Sequence, residues 1–202
     1  MRKTILFAFS LLFLITACNK EKLEVDIPPQ VPLFKVDLIK DGEPLLIEAG
    51  RNDFYLYTDN NLDASGVAFN PFSVFAKLDP CTSDCHESFS VHILNIPVEE
   101  VEIYFNEEDF NPEKFALGID SNLPGAVEIS YTSSEGVLYK SSLGDQDPTD
   151  FFNLTQIEPY LENENGQQTK LIHVGLQCRL FNSTGESIAF SQGELVVAVA
   201  LP

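Results

Sequence analysis

Leu171-Ile172-His173-Val174-Gly175-Leu176-Gln177-Cys178-Arg179-Leu180-Phe181 sets an apolar side chain at every second position. Ile172, Val174, Leu176, Cys178 and Leu180 alternate with His173, Gly175, Gln177 and Arg179. Successive side chains of a β-strand point to opposite faces, whereas an amphipathic helix repeats its apolar positions about every 3.6 residues. The stretch is therefore a strand with one buried face and one open face. The same alternation turns Cys178 toward the core, where a free and inert thiol is expected, and turns His173 outward.

Outward from this stretch the chain keeps the same character. Leu33–Ile39 and Leu45–Glu48 flank Lys40-Asp41-Gly42-Glu43, an Asp-Gly hairpin turn. Phe54–Thr58, Phe72–Leu78, Phe89–Asn95 and Val101–Phe105 read as further strands, with the Asp/Asn/Ser-rich stretch Asp59–Gly66 as a loop. Val127–Thr132 and Val137–Ser141 form a second hairpin around Ser133-Ser134-Glu135-Gly136. Phe151–Leu161, Ser187–Ser191 and Glu194–Leu201 complete about eleven strands. Residues 106–125 are the least strand-like, admit a short helix near Pro112–Leu117, and mark where a two-domain chain would divide. The pattern predicts an all-β chain, a single antiparallel β-sandwich over residues 33–202. It resembles immunoglobulin-like and jelly-roll domains in general pattern, with two smaller sandwiches as the alternative.

The first residues belong to no fold. Arg2 and Lys3 give a positive start, Ile5–Ile15 is an apolar run, and small residues precede Cys18. That is the layout of a secretory signal peptide over residues 1–17, and the run is too short for the roughly 20 residues of a membrane-spanning helix. Ile15-Thr16-Ala17-Cys18 resembles the lipobox of bacterial lipoproteins. The resemblance implies cleavage before Cys18 and acyl chains on its thiol, an anchor whose hold grows by about 0.8 kcal/mol per buried methylene. Asn19 in place of Asp implies delivery to the outer membrane, and leaves open whether the domain faces the periplasm or the exterior. Residues 18–32, polar and rich in proline, read as a lipidated tether.

The formal net charge of −19 becomes −21 once Arg2 and Lys3 leave with the leader. Such a chain lacks the Lys/Arg patches that nucleic acids and anionic headgroups require, so no nucleic-acid partner is expected. A solubilising surface charge is the plain reading, and a basic protein partner the functional one.

Beyond the address, no activity signature occurs. Nucleophile-elbow, zincin, P-loop and dinucleotide-binding motifs are all absent. Cys81 and Cys85 flank a reversal in an exported chain and are expected to bridge. A local loop of this size adds only about 2 kcal/mol. Zinc held by Cys81, Cys85 and His86 is the alternative, weakened by the lack of a second ligand pair. Two acidic loops bear on calcium. Asp59, Asn61, Asp63 and Ser65 follow the start of an EF-hand loop, but Ala64 replaces its turn glycine and Asn70 its bidentate Glu. Asp145, Asp147 and Asp150 form the other, and ordinary turn chemistry accounts for both. His92 shares the polar side of its strand with Ser88 and Ser90.

Glycan binding would need exposed aromatic faces. Without Trp, these must come from Tyr55, Tyr57, Tyr104, Tyr131, Tyr139 or Tyr160. The reading for function is a non-catalytic envelope lipoprotein that binds a protein or glycan and uses no cofactor, calcium apart. The alternative is a glycan-active or other envelope hydrolase with an unrecognised carboxylate site. A concave site with converging carboxylates would favour the hydrolase, and a flat aromatic face or open sheet edge the binder.

Overall fold

Alternating hydrophobicity and Gly-bearing turns leave the chain few options besides antiparallel ladders. The computed structural model describes residues 33–77, 86–106, 115–118 and 123–202. In chain order its strands are β1 Lys35–Lys40, β2 Glu43–Glu48, β3 Phe54–Leu62, β4 Ala68–Lys77, β5 Ser88–Leu94, β6 Ile96–Pro97, β7 Ala116–Leu117, β8 Ala126–Thr132, β9 Leu138–Lys140, β10 Phe151–Tyr160, β11 Thr169–Phe181 and β12 Ser187–Ala200. The protein is all-β, and one sheet runs in the order β2-β1-β12-β11-β9-β8-β5-β4-β3, with β10 also on β11. Among the described residues every pairing is antiparallel except the two-residue contact of β7 with β8.

The stretch 171–181 lies where this sheet forks. One side of β11 pairs with β12 from end to end. The other side pairs with β10 as far as Gln177 and meets β9 at Phe181. Because β9 leads on to β8, β5, β4 and β3, the sheet curls back over itself and closes a sandwich-like core. A bulge in β12 assists the bend: the register to β11 slips between Leu176 and Cys178, and Gln192 adopts φ 52°. Gly193 is required there, since a Cβ would stand 2.8 Å from the Leu176 carbonyl oxygen.

The core is what the two halves of the curl share. Phe89 of β5 and Tyr131 of β8 meet Phe190 of β12 at ring separations of 6.0 and 5.7 Å. Ile172, Val174, Leu176, Cys178 and Leu180 are all buried, as the alternation requires. Polar groups inside are paired: Thr58 and Ser73 both donate to the Ala198 carbonyl, and Asn60 donates to that of Leu201. Two separate sandwiches divided near 106–125 are ruled out, because β5 from before that stretch pairs with β8 from after it over seven residue pairs.

Several boundaries differ from expectation: β4 begins at Ala68, ahead of the expected Phe72, and the strands expected over Ser187–Ser191 and Glu194–Leu201 are one, β12. Val101–Phe105 is helical, with a 3-10 turn Val98–Glu100 running into the α-turn Val101–Tyr104. Val101 and Phe105, four apart, are buried while Ile103 is 52% exposed, so the apolar residues follow helical spacing and not alternation. Ala116–Leu117 is strand, not helix; residues 112–114 of that expectation lie outside the described residues. Finally, β3 continues through Asp59, Asn60 and Asn61.

Both ends of the sheet are guarded against further pairing. On β2 the outward residues include Pro44, which has no N–H, and Glu48, whose carbonyl accepts from the Arg51 N–H at 3.1 Å. On β3 the Phe54 carbonyl accepts from Gly50, and the Thr58 carbonyl from Asn163 Nδ2 at 3.0 Å. The Asn60 N–H is turned to Asp59 Oδ1 at 2.7 Å.

Candidate functional site

Register places a compact constellation on the outer face of the β3-β4-β5-β8-β9 half. One row runs Tyr57, Val74, Ser90, Ser130, Lys140, and the adjacent row runs Asp59, Phe72, His92, Glu128. Tyr57 and Phe72 approach at 5.9 Å between ring centroids with planes at 42°. Phe72 then stacks on the His92 imidazole at 5.5 Å and 18°. Tyr55 and Tyr57 are 51% and 42% exposed, whereas Ser90 and Ser130 are nearly covered. Small side chains thus floor a shallow surface between the tyrosines of β3 and Lys140 of β9.

The polar groups of this face are tied to one another. Asp59 accepts from the Tyr57 hydroxyl, from Asn165 Nδ2 at 3.0 Å and from the Asn60 N–H. The Tyr57 bond is the main reason the Asp59 carboxyl is held below its ordinary range, and Asp59 in turn pushes the Tyr57 phenol up. Burial pushes Glu128 up, but Lys140 at 2.8 Å and the Ser142 hydroxyl outweigh it and keep the carboxylate ionised. His92 is pushed down, chiefly by burial under its neighbours, while Glu128 pulls it back up and Lys140 adds to the depression.

Sequence reasoning reached Tyr55, Tyr57, Asp59 and His92, but not their association. It missed Phe72 and Glu128, whose only signal was their place on the outward side of β4 and β8. His92 is indeed on the polar side of β5, yet that side is half-covered and not open solvent. Of the remaining tyrosines, Tyr131 is buried, Tyr104 packs on Phe115 and Tyr160 on Phe34.

No family model, curated protein or solved structure matches this chain. The site is therefore read from its own chemistry.

The acidic loops expected to bear on calcium resolve into hydrogen-bonded strand and turn. Asp59 and Asn61 stand on β3. Asp63 accepts from the Ser65 hydroxyl at 2.6 Å and from the N–H groups of Val67 and Ala68 at 3.0 and 3.1 Å, which hold its carboxyl low. Asp147 accepts from the Thr149 N–H and hydroxyl, Asp150 accepts from the Asp147 N–H, and Asp145 is exposed. Among the described residues no group of three His, Cys, Asp or Glu is placed to hold a metal ion. Cys178 is free and buried, and burial pushes its thiol up. Cys18, Cys81 and Cys85 lie outside the described residues.

A cleft of about 240 Å³ opens beside the free edge of β3, walled by Phe34, Leu56, Thr58, Tyr160 and Leu161, with Glu162 and Glu164 at its rim.

Proposed function

We propose that this protein is a lipid-anchored component of the bacterial outer membrane whose β-domain binds a ligand and carries out no chemistry. The observation that carries the reading is the outer sheet face with two exposed tyrosines backed by the Phe72–His92 stack. Aromatic side chains of this kind supply large contact area at low entropic cost. Among the described residues, Asp59, Asp63, Glu128 and Asp147 do not favour the hydrolase alternative: each is held low, whereas a general acid needs its proton retained. Delivery and anchoring rest on the leader and on Cys18.

A photo-crosslinking residue placed at Tyr55 or Tyr57 in cells should yield adducts, and one at the exposed Glu158 of β10 should not. Equal adducts at all three positions would sink the binding reading. Cys18→Ser should release the protein from the membrane fraction, and retention of that variant after a salt wash would overturn the lipid anchor.

A further inference from the structure

Resting on the binding reading, we propose that the tyrosine end of this face receives a cationic segment of a partner protein, with arginine or lysine side chains seated on Tyr57 and Phe72 beside Asp59. An aromatic face carries partial negative charge and attracts an ammonium or guanidinium placed over it. Tyr57 is open to solvent, and its neighbour Phe72 is held in place by the His92 stack, so a preformed surface faces outward.

The groups around the rings then select the ligand. Asp59 lies across from Phe72 in the β3–β4 register. The charge of Glu164 reaches the Tyr57 phenol. The loop bearing Glu162 and Glu164 is fixed against β3 by the bonds from Asn163 to Thr58 and from Asn165 to Asp59. These are acceptors. The nearest donors, the Tyr57 hydroxyl and Asn165 Nδ2, are already given to Asp59. A neutral sugar needs donors and acceptors together, whereas a cation needs acceptors and a ring face.

Charge complementarity points the same way. Lys35 is paired with Glu194, Arg51 with Glu48 and Lys77 with Glu87, and Lys140, at the far end of this face from Tyr57, is paired with Glu128. With a net charge of −19 over the chain, the long-range field also draws a basic partner in. Strand addition at β3 is opposed, because the Phe54 and Thr58 carbonyls and the Asn60 N–H on its outer edge are already bonded.

The test is calorimetric titration of the protein with a hexa-arginine peptide and with a neutral hexasaccharide, maltohexaose, on wild type and variants checked for folding by thermal melts. The peptide should bind, and its affinity should fall as salt rises from 0.1 to 1 M and the Debye length shrinks from about 10 to about 3 Å. Tyr57→Ala should weaken it by about tenfold, the loss of roughly one cation–π contact. Asp59→Asn should weaken it more than Glu158→Gln, which removes the same charge from β10. Tyr57→Phe, which keeps the ring and frees Asp59, should bind at least as well as wild type.

Unchanged affinity in Tyr57→Ala, or equal losses in Asp59→Asn and Glu158→Gln, would overturn the proposal in favour of diffuse charge. Binding of maltohexaose that Tyr57→Ala abolishes, with no peptide binding, would keep the face as a binding site and overturn its cationic specificity. Failure of the binding reading itself is registered separately, by crosslinking at Tyr55 and Tyr57 no different from that at Glu158.

Discussion

His92 couples the candidate face to acidity. Burial lowers its folded-state pKa below the ordinary 6.5, so below that pH the unfolded chain takes up the proton first. Its contribution to stability is therefore complete above about pH 6.5 and is lost as pH falls toward the depressed folded value. The lowered carboxylates Asp59, Asp63, Glu128 and Asp147 lose theirs further down, below the ordinary 3.8 of Asp and 4.5 of Glu. Urea midpoints measured from pH 7.5 to 5 should fall for the wild type and fall less for His92→Phe, which keeps a ring against Phe72. A parallel decline in both proteins would show that His92 is not the group responsible. Gly193 makes a prediction of another kind. In Gly193→Ala the new methyl meets the Leu176 carbonyl oxygen at 2.8 Å and the Leu176 Cβ at 3.0 Å. Either β12 moves off β11 or the bulge opens, and a cost of about 1–3 kcal/mol is expected in denaturant unfolding.

Among the elements, the β10–β11 hairpin has the most to say about the face it adjoins. Asn163 alone accepts from the N–H groups of Asn165 and Gln167 and donates to the Thr58 carbonyl on β3. Its side chain shapes the loop and fastens it to the edge strand. Asn163→Ala should cost about 1–3 kcal/mol, the range for leaving partly buried partners unmet, and should speed amide exchange at Asn165 and Gln167. Normal exchange at both sites would mean that the backbone bonds of the turn suffice without the side chain. The helical turn at Val98–Tyr104 shows the opposite relation between sequence and element. Val-Glu-Ile-Tyr-Phe offers both alternation and a four-residue spacing. The core accepts Val101 and Phe105 together, and with it the helical choice.

At the scale of the whole molecule, the core runs without a break from β1 to β12, and the second-half strands β12, β11, β9 and β8 lie in the sheet between β2-β1 and β5-β4-β3 of the first half. Residues 32–202 form one compact unit. Thermal and urea unfolding should accordingly show a single transition, coincident by far-UV circular dichroism and tyrosine fluorescence. Two resolved transitions would mean that the halves of the curl fold apart. The guarded edges of β2 and β3 oppose edge-to-edge pairing of copies along those two strands.

How much of this was legible beforehand follows from the range of each signal. Alternation in 171–181, Asp-Gly at 41–42 and Gly136 act through neighbouring residues, so the strands, both hairpins, the burial of Cys178 and the all-β class could be read directly from the chain. The positive φ of Asp41 and Gly42 is the local conformation that such a hairpin turn demands. The fork at β11 could not be read. It depends on which strand reaches the free edge of β11 beyond Gln177, a contest between β9 and β10 that is decided by packing of the whole core. The candidate face was hidden for the same reason. Tyr57, Phe72, His92 and Glu128 sit on four different strands, and only sheet register, fixed by the burial of their inward neighbours, brings them into line.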